Sequence, residues 1–196
     1  MFFLTPALDL KLFLLVNQEW RCALFDLIMP LLSSMTALML CLGLAAIYAV
    51  IRSGRRQLVY FIILFIAMGL ANLSTDMVKS QVKRVRPLNA VAGTFHQAHG
   101  HWEQRSPDFA QTKEEGTSYP SAHAANTMCL AALMCLLWPA LGKWPLLLPL
   151  LVGYSRLYVG KHYPTDILAG WLLGLAVALV VWMVWRYGLS RLLRQD

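Results

Sequence analysis

Residues 167–187 read ILAGWLLGLAVALVVWMVWRY, a run of 21 residues whose only charge is Arg186. At about 1.5 Å per residue, a helix of this length crosses the roughly 30 Å hydrocarbon layer of a bilayer. The surrounding chain has the same character: of its 196 residues 58% are hydrophobic and 14% charged, and the mean hydropathy is +0.55. A soluble domain carries about 25% charged residues. The sequence therefore reads as all-α, an integral membrane helical bundle with five or six transmembrane helices. Apolar windows place the other spans at residues 22–51, 58–78, 123–141 and 145–159, and residues 1–196 read as one membrane-embedded domain without linker or repeat.

Residues 1–20 are apolar but broken by Asp9, Lys11 and Glu19, which suits an interfacial helix better than a partial sixth span. They show neither a basic leader nor a small-residue cleavage site, so a removable signal peptide is not expected. Trp138, Trp144, Trp182 and Trp185 fall near span ends, as an aromatic belt requires. Gly170 and Gly174 form a GxxxG pattern that predicts close helix packing. Cys22, Cys41, Cys129 and Cys135 have no CxxC spacing, so they read as small apolar side chains and not as zinc ligands or disulfide partners.

With five spans, every polar cluster falls on one side of the membrane. The opposite side carries Arg52, Arg55, Arg56, Lys143, Arg186, Arg191 and Arg194 against Asp196, leaving 10 of 17 basic and 9 of 10 acidic residues with the clusters. By the positive-inside rule the basic side is cytoplasmic, and the clusters face a periplasm, the cell exterior or a lumen. The net charge of +7 is thus mainly a topological signal, and no aromatic-basic groove points to nucleic acid.

Three clusters carry the chemistry. Lys79 and Arg86 lie seven residues apart, two turns if the helix continues, with Lys83 between them and Pro87 to end the helix. Ser121, Ala122 and His123 follow Pro120 at the start of a span, where unpaired N–H groups and the helix dipole favour an anion. Ser155-Arg156 is followed by His162 and Asp166. An arginine near bilayer depth is costly without an anionic partner, and its planar fork suits two phosphate oxygens. A carboxylate four residues after a histidine can fix the imidazole tautomer and leave the other nitrogen as a nucleophile. Together these residues can bind a phosphate and break its ester.

In order and spacing the clusters resemble the type 2 phosphatidic-acid phosphatase superfamily, which also contains vanadium-dependent haloperoxidases. That family's pattern is Lys, six residues, Arg-Pro; then Pro-Ser-Gly-His; then Ser-Arg, five residues, His, three residues, Asp. This sequence matches the first with Lys79 and Arg86-Pro87 and the third with Ser155-Arg156, His162 and Asp166, and it reads Pro120-Ser121-Ala122-His123 at the second, with Ala122 in place of Gly. Alanine keeps the N–H donor but suffers if the position needs a positive φ.

The resemblance implies that His162 attacks phosphorus to form a phosphohistidine, that Asp166 orients it, and that His123 protonates the leaving oxygen and then activates water. Lys79, Arg86, Arg156, Ser121 and the Ala122 N–H would hold the phosphate oxygens. No metal and no other cofactor is implied. A site at the membrane boundary suits a phosphorylated lipid as substrate and partner. The flanks look most like small bacterial polyprenyl-diphosphate phosphatases, with phosphatidylglycerophosphate, phosphatidic acid and lipid A as further candidates. A vanadate-dependent haloperoxidase and a non-catalytic lipid binder are the rival classes. Residues 88–119, with His96, His99, His101 and Trp102, read as a solvated loop, with a lid as the alternative.

Overall fold

The computed structural model describes residues 5–111 and 113–189. In chain order they form α1 (Ala7–Leu14), α2 (Ala23–Leu32), α3 (Met35–Ser53), α4 (Arg55–Val82), strands β1 (Phe95–Ala98) and β2 (His101–Gln104), α5 (Ala122–Leu137), α6 (Leu147–Tyr158) and α7 (Pro164–Val184). Three segments are long and apolar enough to cross a membrane: Met35–Ser53, Arg55–Asn89 and Pro164–Gly188. α2 and α5 are shorter apolar helices. On the three long segments leucines such as Leu44 of α3, Leu73 of α4 and Leu172 of α7 stand exposed, as a lipid-facing surface requires, while the core lies between the helices.

Two expectations need correction. The window 22–51 holds two helices, because the chain breaks at Ser33 and Ser34. The Ser34 hydroxyl caps α3 by accepting from the Ala37 N–H at 3.2 Å, while Ser33 is engaged elsewhere, as described below. The helix of α4 also stops short of Arg86: Lys83 adopts a left-handed conformation (φ 52°) directly after Val82. Lys79, Lys83 and Arg86 therefore do not share a helix face, and Lys83 instead pairs with Glu115 at 2.8 Å.

α5 is the central helix, packed against α4, α6 and α7. Its Ala124, Ala125 and Ala131 are fully buried. Gly170 and Gly174 of α7 lie against it so closely that a Cβ on Gly170 would stand 2.5 Å from the Ser121 carbonyl oxygen, and one on Gly174 would overlap the Ala125 carbonyl. Small residues on both helices bring the backbones together, as the GxxxG pattern predicts. Farther from the site, Tyr60 meets Trp138 edge to face at 5.2 Å within a cluster that includes Leu64, Leu130 and Leu133.

Residues 95–104 are ordered and packed, an antiparallel hairpin turning at Gly100. Fully buried Asn17, in the π-helical turn Leu15–Glu19, holds the hairpin. Its amide accepts from the Phe95 N–H (2.9 Å) and donates to the Phe95 and Tyr158 carbonyls (2.9 and 2.8 Å). Trp102 donates to the Asp26 carbonyl at 3.1 Å and packs edge-on against Tyr158. The hairpin thus joins the N-terminal segment to the end of α6. Substituting Gly174→Val should overpack the α5–α7 contact and cost about 1–3 kcal/mol, seen as a lowered Tm in detergent.

Candidate active site

The C-terminal ends of α4 and α6 and the N-terminal ends of α5 and α7 meet on one side of the bundle. The Ser121 N–H donates to the Asp166 carbonyl at 3.0 Å, tying the starts of α5 and α7 together. Between α6 and α7 the chain turns tightly: the N–H groups of Lys161 and His162 both donate to the Arg156 carbonyl, at 3.0 and 3.3 Å. Gly160, at φ 72°, permits this turn, and a Cβ there would lie 2.6 Å from the Phe95 carbonyl.

His162 is buried, 2% exposed. Its Nδ1 lies 2.8 Å from the Ser118 carbonyl oxygen. A carbonyl only accepts, so Nδ1 carries the proton and Nε2 keeps its lone pair. The Asp166 carboxylate was expected to accept this bond, but its Oδ2 stands 3.6 Å from Nδ1, beyond hydrogen-bond reach. The backbone fixes the tautomer, and Asp166 adds charge. Burial pushes the His162 imidazole down from 6.5 to about 4, with Asp166 pulling against it and Arg156 and Arg86 adding to the push. The neutral imidazole, with the Nε2 lone pair free, is thus the resting form at neutral pH.

Asp166 is fully buried and saturated with donors: Ser118 Oγ at 2.5 Å and the Tyr163 N–H at 2.8 Å on Oδ2, and Arg84 Nη1 at 2.7 Å on Oδ1. Its direct ion pair is with Arg84, and it acts on Arg86 only through space. Arg156 is buried, donating through Nη1 to the Ser33 carbonyl (3.2 Å) and to the Ser33 hydroxyl. The Nε atoms of Arg156 and Arg86 are buried without a hydrogen-bond acceptor. Lys161 is half-buried, and its ammonium is depressed by burial and by repulsion from Arg156 and Arg86. Among the described residues none of these three cations makes an ion pair. Gathered positive charge with idle donors at a partly desolvated position is the electrostatic arrangement that an anion would stabilise.

Ser121 caps α5, its buried hydroxyl accepting from the Ala124 N–H at 3.4 Å. Ala122 is the first residue of α5 and does not have a positive φ, so the alanine costs the backbone nothing. Ala122, His123 and Asn126 line a groove of about 380 Å³ whose other walls include Met35 and Met39 of α3 and Phe65 and Met68 of α4. Lys79 stands apart: its ammonium pairs with Asp76 at 3.0 Å, and it is not among the charges bearing on Lys161 or His162. Among the described residues no group of three or more His, Cys, Asp or Glu side chains is placed to hold a metal ion. Sequence reasoning missed Ser33, Arg84, Ser118 and Lys161. Lys161, one residue before His162, was the readable one.

The sequence pattern defining the PAP2 superfamily matches residues 60–189, which contain all three clusters. The chain belongs to the PAP2 superfamily. It is an integral membrane phosphatase, a hydrolase of phosphate esters. It is 29% identical over 170 residues, 85% of this chain and 73% of the relative, to an undecaprenyl-diphosphatase of Sulfolobus acidocaldarius. To phosphatidylglycerophosphatase B of Bacillus subtilis it is 36% identical over 93 residues, 41% of this chain and 46% of that protein. The crystal structure of Aquifex aeolicus LpxE shares the fold, with a TM-score of 0.70 at 23% identity, covering 92% of this chain and 98% of that one.

The PAP2 site as built here makes a pH prediction. Unfolded His162 takes up a proton near 6.5 and folded His162 near 4, so the unfolded state binds more protons between these values and stability falls as pH falls through that window. Above 6.5 this contribution is complete. The Tm should drop more steeply from pH 6.5 to 4 in the wild type than in His162→Gln, as a detergent melting series would measure.

Proposed function

We propose that the protein hydrolyses a polyprenyl diphosphate, such as undecaprenyl diphosphate, through a phosphohistidine on His162. The observation that carries the proposal is a buried imidazole of fixed tautomer beside three cations that make no direct ion pair among the described residues. His162 Nε2 attacks the terminal phosphorus and the bridging P–O bond breaks. His123, which takes up a proton from solvent as the anionic substrate offsets the surrounding cations, gives it to the leaving oxygen, then takes one from water, whose oxygen attacks phosphorus as the P–N bond breaks. Arg86, Arg156, Ser121 and the first N–H groups of α5 stabilise the equatorial oxygens. Lys79 would join them by exchanging Asp76 for the phosphate.

Two observations favour a lipid diphosphate over a monoester. Arg86, Arg156 and Lys161 supply three positive charges, which match the roughly threefold negative charge of a diphosphate better than the double charge of a monoester. The groove beside His123 is mostly apolar, lined by methionines of α3 and α4 and by Phe65, which suits a hydrocarbon chain that stays in the bilayer. The relatives' names differ in substrate, one a diphosphatase and the other a phosphatidylglycerophosphatase. The basic residues at the other end, Arg52, Arg55, Arg56, Lys143 and Arg186, support a cytoplasmic-membrane orientation with the site facing the periplasm or exterior.

Phosphate release by purified protein with a chelator present tests the reading. Undecaprenyl diphosphate should be the best of a panel with phosphatidylglycerophosphate, phosphatidic acid and lipid A, vanadate should inhibit, and His162→Ala should lose roughly a thousandfold or more. Turnover retained in His162→Ala would exclude the phosphohistidine. Lys161→Met should lower kcat/KM about tenfold on the diphosphate, the worth of one charge-assisted hydrogen bond, and less than about threefold on a lipid monophosphate. Equal losses on both would remove the diphosphate assignment.

A further inference from the structure

Asp166 Oδ1, the oxygen not facing His162, leads into a buried chain of charges that the phosphoryl-transfer scheme does not use. Arg84 is 1% exposed and bridges two acids: Nη1 donates to Asp166 Oδ1 at 2.7 Å and to Thr165 Oγ1 at 2.8 Å, and Nη2 donates to Asp9 Oδ2 at 2.5 Å. The guanidinium lies over the Tyr163 ring at 3.9 Å. Asp9, on α1, also accepts from the Thr165 N–H at 2.8 Å and from the Thr165 hydroxyl at 2.7 Å. It thereby caps the first turn of α7 from another helix, two residues from Tyr163 and one from Asp166.

Anchoring α1 alone does not require this arrangement. Phe13, fully buried and edge-on to Tyr163 at 5.6 Å, already packs α1 against the site. A buried chain of three charges is commonly no more stable than the same volume filled with apolar side chains, so stability gives little reason to keep it. Geometry gives one. Oδ2 of Asp166 is held by Ser118 and by the Tyr163 N–H, and Arg84 on Oδ1 fixes the remaining rotation of the carboxylate. Arg84 also supplies the counter-charge that sets how negative Asp166 is beside His162, and Asp9 in turn draws on that charge.

We propose that Arg84 is a positioning residue for phosphoryl transfer and that Asp9 makes helix α1 part of the same apparatus, the chain Asp9–Arg84–Asp166 fixing the plane and effective charge of the carboxylate beside His162. The inference rests on His162 as the nucleophile. Neither residue touches substrate; both act through Asp166.

The test is the pH profile of kcat/KM in Arg84→Met, Arg84→Lys and Asp9→Asn, with inorganic phosphate as a binding probe. His162 faces Asp166 on α7, Arg156 on α6, Arg86 beyond the end of α4, and His123 on α5; these variants leave all four in place. Removing the Arg84 charge leaves Asp166 uncompensated, raises the proton affinity of His162 and should move the acidic limb up by about one pH unit. Asp9→Asn gives Arg84 wholly to Asp166 and should move the limb down. kcat should fall about a hundredfold in Arg84→Met, the cost of a roughly 1 Å misplacement, and about tenfold in Arg84→Lys, while inhibition by inorganic phosphate stays within about threefold. Loss of folded protein lowers kcat without moving the limb, so the limb separates positioning from mere stability. Asp9→Asn, which keeps the shape of the cap, serves where Arg84→Met does not fold. A limb that coincides with wild type in Asp9→Asn and in every Arg84 variant that folds overturns the inference, whatever the rates. A wild type inactive on all lipid phosphates overturns it together with the phosphatase reading on which it rests.

Discussion

Everything at the site converges on the carboxylate of Asp166. Its side chain holds Arg84, Ser118 and the Tyr163 N–H, its main-chain carbonyl holds the Ser121 N–H, and its charge stands 3.6 Å from His162. Three separate stretches of chain, around residues 84, 118–121 and 162–166, are thereby fixed relative to one another at a buried point. Such a group is stable only if each lone pair is used, and here each oxygen has a named donor. The consequence is directional: Asp166 makes its direct ion pair with Arg84, so Arg86, Arg156 and Lys161 have none among the described residues and their charge stays available to an anion.

Membrane packing supplies the rest. Close approach of α5 and α7 at Gly170 and Gly174 puts the start of one helix beside the start of the other, so Ser121 and His123 of α5 and Asp166 of α7 sit at one level. The N-terminus of α5 adds its partial positive charge to that of the arginines, while that of α7 is capped by Asp9 and Asp166. The groove past His123 is walled by Met35 and Met39 of α3 and Phe65 and Met68 of α4. Phosphate chemistry on a polar side and a hydrocarbon exit on the other is the division of labour a lipid phosphatase needs.

Much of this was legible in the sequence where partners are close in number. Arg156, His162 and Asp166 lie within one turn-and-helix unit, so their spacing alone places them together. The helix starts were readable from Pro120-Ser121, and GxxxG from its spacing. What escaped has a physical reason in each case. Arg84 and Asp9 are 75 residues apart, and an acid in an apolar N-terminal stretch looks the same whether it faces headgroups or a buried guanidinium. The partner of His162 Nδ1 is a backbone carbonyl, which any residue at position 118 would supply. The break at Ser33 and Ser34 lies inside a window whose average hydropathy hides it, although two adjacent serines marked it. The hairpin of residues 95–104 is held by Asn17, again a distant partner.

The measurement that tests the central claim most directly is the location of the phosphoryl group during turnover. Wild-type protein mixed with undecaprenyl diphosphate, quenched within milliseconds into alkali, where phosphohistidine survives, and mapped by peptide mass should carry phosphate on His162, formed no more slowly than the lipid monophosphate is released. Release of that monophosphate in the first turnover without any protein-bound phosphate, or with phosphate on another residue, would contradict the account.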